Sequence, residues 1–200
     1  RVCDGGIGAR GEDTHALDNM FLGSDPGGDD HYDLLPPASG TVQTIIDLKG
    51  NDAYQGSNLA VLSATAILDM AGQDRYESPE SGQAAALGGM ALLLDASGDD
   101  VYKAGAFAQG AAAYGVAALI DGGGSDTFEL TAMGQGYGAT QGVGVLWDLQ
   151  GRDTYTALGL SGEEVSVGGQ SWAQGVGRGL RTGHGGGIGM LLDDGGDDLY

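Results

Sequence analysis

Positive charge is scarce in this 200-residue chain: eight Lys and Arg stand against 28 Asp and Glu, giving a net charge of −20. That balance excludes nucleic acid as a partner, because phosphate binding draws on Lys and Arg contacts. Cysteine is nearly missing. Cys3 is the only one, so no internal disulfide can form. Its thiol is either an ordinary side chain or a link between subunits near the N-terminus. No apolar run approaches the roughly 20 residues a membrane-spanning helix needs. The three histidines, His15, His31 and His184, come without a nucleophile motif. The chain starts at Arg1 with no Met and no signal-like segment, which points to a processed or trimmed chain.

Glycine and aspartate are abundant instead. Gly makes up 41 residues, far above the average of about 7%. No Gly-X-Y period accompanies it, so collagen is excluded, and the phased apolar runs exclude a disordered low-complexity chain. Twenty-two of the acids are Asp. A short carboxylate suits a turn, where it bonds its own backbone or holds a cation. Eighteen of the 22 fall within one repeated motif, whereas acids kept only for solubility would scatter.

That motif is Asp, two residues, Gly, any residue, Asp, any residue, aromatic. It occurs seven times, beginning at Asp25, Asp47, Asp69, Asp95, Asp121, Asp148 and Asp193, at separations of 22, 22, 26, 26, 27 and 45 residues. Periods in this range belong to one supersecondary unit stacked on copies of itself. The fold class expected is all-β: a parallel β-solenoid of about seven coils of 22–27 residues, with one Asp-Gly-Asp turn per coil. Residues 1–24 are one coil long without a full motif and read as an N-terminal cap or degenerate coil. Residues 25–200 form the repeat domain. The long last gap, about 156–187, holds loop insertions carrying Glu163, Glu164, Trp172 and His184.

Each leading Asp follows a six-residue apolar segment, such as ATAILD, MALLLD and VAALID, of strand length. Stacked one coil apart, at about 4.8 Å, these strands set like residue on like residue. Both faces of the strand are apolar, which predicts a second layer over the outer face: a loop or another subunit. The motif's closing aromatics, Tyr32, Tyr54, Tyr76, Tyr102, Phe128, Tyr155 and Tyr200, should stack into a column. Phe128 shows that the hydroxyl is dispensable there, so packing is their expected role. Gln83, Gln109 and Gln135 sit 14 residues after a leading Asp, with Gln174 as a displaced fourth member. They read either as an amide ladder, Gln bonded to Gln, or as polar residues opening the next strand.

The turn carries the chemistry. Two aspartates per coil, repeated at one strand spacing, repel by roughly 3–4 kcal/mol per pair at an effective dielectric of about 20. Oxygen ligands without His or Cys point to Ca²⁺ rather than zinc or copper, and two neighbouring turns together offer enough oxygens to build its shell. The candidate metal ligands are Asp25, Asp30, Asp47, Asp52, Asp69, Asp74, Asp95, Asp100, Asp121, Asp126, Asp148, Asp153, Asp193 and Asp198. The competing reading is Asx-turn aspartates satisfied by backbone N–H groups, which accounts for the first Asp better than the second.

GNDAY, GQDRY, GSDTF and GRDTY resemble the core of the calcium-binding RTX repeat, G-G-x-G-x-D-x-U-x. The resemblance implies a parallel β-roll that folds outside the cell on binding Ca²⁺. It also implies Asp30, Asp52, Asp74, Asp100, Asp126, Asp153 and Asp198 as ligands. RTX motifs, however, recur every nine residues, whereas here one occurs per coil, and Asp replaces the first Gly.

The function expected is non-enzymatic: an extracellular or cell-surface structural protein, stabilised by Ca²⁺. Its copies would stack head to tail into a filament or surface fibre, and copies could also meet laterally. Tyr200 closes a motif, so a terminal half-site would face the Arg1 end of another copy, near Cys3. A calcium-dependent adhesin or glycan-binding module acting through 156–187 is the alternative. A β-helix polysaccharide lyase comes after it, since the eight basic residues cluster only at Arg178 and Arg181.

Overall fold

The computed structural model describes residues 5–7, 11–16, 22–160, 171–179, 183 and 185–200. Cys3, Glu163, Glu164, Arg181 and His184 lie outside them. Short strands follow one another in a repeating order. The first are β1 (Gly5–Ile7), β2 (Thr14–Ala16), β3 (Leu22–Asp25), β4 (His31–Leu34), β5 (Val42–Asp47), β6 (Ala53–Gly56) and β7 (Ala60–Val61). Next come β8 (Ala64–Asp69), β9 (Arg75–Ser78), β10 (Ala85–Leu87), β11 (Met90–Asp95), β12 (Val101–Ala108) and β13 (Ala111–Ala113). The last are β14 (Val116–Asp121), β15 (Thr127–Gly134), β16 (Tyr137–Gly138), β17 (Val143–Asp148), β18 (Thr154–Ala157) and β19 (Ile188–Asp193).

They assemble into three sheets, all pairings parallel. The first runs β1-β3-β5-β8-β11-β14-β17-β19, the second β18-β15-β12-β9-β6-β4-β2, and the third β16-β13-β10-β7. The protein is a parallel β-solenoid, and no described residue is helical. No helix is long and apolar enough to cross a membrane. Register is kept residue for residue: Asp47 pairs Asp69, then Asp95, Asp121, Asp148 and Asp193 in turn.

Among the described residues four coils own a strand in every sheet, and a fifth, built on β17 and β18, closes its third side with the bridge Gly138–Gly177. Five closed coils thus replace the seven expected from the motif count. The rung of β3 and β4 lacks a third strand because Pro36 and Pro37 lead into that position and donate no backbone N–H. In residues 1–24, β1 pairs β3 and β2 pairs β4 in the same parallel sense as every later rung. The cross-section also grows along the axis: β6 and β9 have four residues, β12 and β15 eight.

Alternation sorts the side chains. In the first sheet Ile45, Ile67, Leu93, Leu119 and Leu146 point inward and are buried. In the second sheet the motif aromatics point inward and stack face to face, with centroids 4.6–5.0 Å apart from Tyr32 to Tyr200. That distance is the spacing between strands, so backbone pairing and ring stacking are satisfied together. The third sheet lies so close to the first that a Cβ on Gly110 would sit 1.9 Å from the Val145 carbonyl oxygen. This approach explains its Ala and Gly composition.

The glutamines depart from the amide-ladder expectation. Nε2 of Gln83 donates to the carbonyls of Tyr76 (3.0 Å) and Lys103 (2.7 Å). Gln109 and Gln135 repeat this on Tyr102 with Glu129 and on Phe128 with Thr156. Positive φ angles near 50° at the three glutamines turn the amides toward backbone carbonyls rather than toward each other. Gln174 reaches the carbonyl of Tyr155 at 3.4 Å, as the displaced fourth member. The covering layer expected over the first sheet is not supplied by the described residues: Trp147 is 36% exposed and makes one polar contact, Nε1 to Oδ2 of Asp194 at 3.1 Å.

Candidate metal centre

Each turn is held by its two aspartates in different ways. The first Asp ends a first-sheet strand, and its Oδ1 accepts the N–H two residues on, as from Gly27 to Asp25, Lys49 to Asp47 and Gly123 to Asp121, all at 2.9 Å. This is the Asx turn considered from the sequence. Its Oδ2 accepts the phenolic O–H of the preceding coil: Tyr32 to Asp47 at 2.5 Å, Tyr54 to Asp69 at 2.6 Å, Tyr76 to Asp95 at 2.7 Å and Tyr102 to Asp121 at 2.6 Å. The hydroxyl therefore does more than the packing role expected of it. Where Phe128 breaks the series, Tyr155 turns to Asp148 of its own coil, at 3.0 Å.

The second Asp works between coils. Its Oδ1 accepts the backbone N–H of the second Asp one coil earlier, from Asp30 N–H to Asp52, Asp52 to Asp74 and Asp74 to Asp100 at 2.6 Å, and from Asp100 to Asp126 and Asp126 to Asp153 at 2.7 Å. Asp153 to Asp198 continues the series at 2.9 Å. The motif Gly makes this stacking feasible: a Cβ on Gly124 would lie 1.4 Å from the carbonyl oxygen of Gly98 in the coil before. Glycine is needed here for close approach of the coils, in addition to the turn itself.

Oδ2 of the second Asp is left over. In Asp30, Asp52, Asp74, Asp100, Asp126 and Asp153 this oxygen is buried and accepts no hydrogen bond. Buried polar groups are nearly always partnered, so six in one column call for a partner of another kind. Carboxylates of neighbouring aspartates gather around these residues. One carboxylate oxygen from each of Asp30, Asp47 and Asp52 lies within 4.8 Å of the other two, and so in Asp52/Asp69/Asp74, Asp74/Asp95/Asp100 and Asp100/Asp121/Asp126. Two oxygens on opposite sides of a Ca²⁺ are about 4.6–5.2 Å apart, so each triad has the dimensions of such a shell.

Burial is the main electrostatic force on these groups. Desolvation, with the neighbouring aspartates adding to it, pushes Asp74, Asp100 and Asp126 up to about 9. Asp52, Asp95 and Asp148 are pushed up to about 7 and Asp69 to about 6, again by burial first. Burial thus favours the protonated form of Asp74, Asp100 and Asp126 at neutral pH, and a cation would displace those protons.

Of the predicted ligands, Asp25 to Asp153 are 3% exposed or less, and Asp193 and Asp198 are half-buried in the last rung. Sequence reading missed a further cluster, Asp13, His15, Asp25 and Asp30. Gly11-Glu12-Asp13-Thr14-His15 is the motif's second half with His in the aromatic place. The His15 ring stacks on Tyr32 at 4.8 Å, and its Nε2 lies 3.2 Å from Oδ2 of Asp25. Allowing any planar ring at the last motif position would have found it. In the insertion, the Arg178 guanidinium lies 4.2 Å over the Trp172 ring. Comparison with known proteins yields no relative: no protein-family model, curated protein or solved structure matches the chain.

Proposed function

We propose that the protein is a calcium-stabilised β-solenoid with a structural, non-enzymatic role at the cell surface or outside the cell. The observation that carries this reading is the column of six buried Oδ2 atoms without partners, five of them on aspartates that gather with two or more further ligand side chains within 4.8 Å. One divalent cation per coil neutralises the two aspartates of that coil. Asp30, Asp47 and Asp52 would hold one ion, and the triads through Asp126 would hold those that follow. The ion supplies only charge and coordination. The chain supplies rigidity, since Oδ1 of every second Asp is already fixed by a backbone N–H. Millimolar calcium is an extracellular condition, and the likeness of the turn to RTX repeats supports the same setting.

A rod of this kind is suited to a fibre or surface layer. The first sheet ends in strands β1 and β19, whose outer edges pair with no further strand among the described residues. Such edges template further strands, from a second copy or from more coils of the same chain. Among the described basic residues, Arg75 is paired with Glu77 and Arg178 covers Trp172, an arrangement that disfavours a cationic sugar-cleaving cleft. The competing reading is a calcium-dependent glycan-binding module acting through 156–187, for which glycan binding without turnover is the test.

The experiment is a calcium titration of EDTA-stripped protein, followed by circular dichroism and by electron microscopy of the same samples. β signal and filaments appearing together in the millimolar range support the proposal. A folded, unchanged monomer without calcium would reduce the aspartates to turn chemistry.

A further inference from the structure

The first sheet and the second sheet are built from the same chain with opposite outer surfaces. On the second sheet the outward positions in one line are Asp33, Gln55, Glu77, Lys103 and Glu129. On the first sheet the six six-residue strands β5, β8, β11, β14, β17 and β19 each turn three residues outward. Of these eighteen, seventeen are apolar, Thr44 is the exception, and none is charged. Several are exposed, among them Met90 at 63%, Ile188 at 57% and Val116 at 44%. Scattered surface apolar residues need no explanation, whereas an uncharged face on a chain of −20 does.

Its size is informative. Six strands about 4.8 Å apart and six residues of about 3.3 Å each give a footprint of roughly 600 Å². That is at the upper end of the largest apolar patch on an ordinary monomer. It is also close to the roughly 800 Å² each partner contributes to a stable interface. The surface has a built-in period, since residue-for-residue register repeats its ridges at every strand. A second copy offers the same period, so ridges and grooves match along the whole face, and a two-fold axis lying in the face makes the contact self-complementary. It also offers the same absence of charge, which lets two strongly acidic chains meet at the one surface where they do not repel.

We infer that two copies of this chain pack face to face through the outer surface of the first sheet, as a sheet-on-sheet sandwich. The contact lies along the side of the rod and needs neither end of it nor any bound ion.

Sedimentation velocity in millimolar calcium tests this on the wild type, on Ala118→Lys at the centre of the face and on Gln55→Lys on the second sheet. The wild type and Gln55→Lys should be dimers that dissociate on dilution. Ala118→Lys should be a monomer with an unchanged circular dichroism spectrum, its dimer affinity reduced at least 100-fold. A wild-type monomer at about 100 μM, or an Ala118→Lys protein that pairs like wild type, overturns the inference. A second readout needs no variant of the face. In a Trp172→Phe background the quenching of Trp147 by iodide should rise as the protein is diluted through the dimer–monomer range. Quenching that stays constant through that range overturns it as well.

Discussion

The hydroxyl of Tyr102 donates to Oδ2 of Asp121, in the next coil, at 2.6 Å. Both groups are fully buried, so this bond ties the aromatic column of one coil to the carboxylate column of the next. Removing the hydroxyl leaves a buried acceptor without a donor. Tyr102→Phe should therefore cost about 1–3 kcal/mol. In Phe128→Tyr the added hydroxyl meets an Oδ2 of Asp148 that already accepts from Tyr155 at 3.0 Å, so the gain should stay below about 1 kcal/mol. Denaturant unfolding of the two variants at fixed calcium measures both, and a clear loss for Tyr102→Phe with little change for Phe128→Tyr is the expected pattern.

The acidity of the column gives stability a pH dependence that calcium should abolish. Without a divalent ion, Asp74, Asp100 and Asp126 titrate at about 9 in the fold, against about 3.9 in an unfolded chain. The folded state then binds more protons. Their contribution is complete below about pH 4 and is lost as pH rises from there to about 9. Bound calcium replaces those protons, so above about pH 5 neither the folded nor the unfolded chain takes them up and stability should hold level. Thermal melts from about pH 4 to 9 should therefore decline with pH in EDTA and reach a plateau above about pH 5 in calcium. A decline with pH under both conditions would argue against ion binding by the column.

Ligand sharing predicts unequal losses of metal. Asp100 belongs to two triads, with Asp74 and Asp95 and with Asp121 and Asp126, whereas Asp95 belongs to one. Asp100→Asn should remove about two ions per chain and Asp95→Asn about one. Native mass spectrometry of the calcium-loaded variants reads the difference directly. Identical losses from the two variants would rule out shared ligands.

The stacking glycines allow no side chain. Gly124→Ala places a methyl group 1.4 Å from the Gly98 carbonyl oxygen, and that oxygen belongs to backbone that cannot rotate away. The coils must separate locally, at a cost of about 3 kcal/mol or more. Gly40, with nothing within 4 Å of its Cβ position but a φ of +79°, should lose only about 1 kcal/mol as Ala. The contrast, read from urea midpoints, separates close approach from backbone strain.

The seven repeats made the architecture readable, because a motif that returns at 22–27 residues leaves few folds that place Asp on Asp. The six-residue apolar segments before each Asp marked the first-sheet strands, which carry the buried Ile45, Ile67 and Leu93. The third sheet was not legible. Its strands have two or three residues, mostly Ala and Gly, too short to show alternation and selected for close approach rather than for hydrophobicity. The glutamines misled because a ladder by sequence position is not a ladder of side chains: the φ of +51° at Gln83 redirects the amide to the backbone. At the site, the residue types and pairing were evident from spacing. That Oδ1 and Oδ2 of one carboxylate have different partners depends on side-chain rotation, which no spacing encodes.

All variation in coil length occurs in one place. Every motif runs seven residues from leading Asp to aromatic, and every first-sheet strand meets its neighbour in register, yet leading aspartates are 22 to 45 residues apart. The surplus always enters between an aromatic and the next first-sheet strand. That stretch of each coil thus takes up the insertions, while the first sheet and the turn keep the pitch. Segments of other lengths can be spliced there, in nature or by design, at intervals of one rung, without altering the spacing of anything else along the axis.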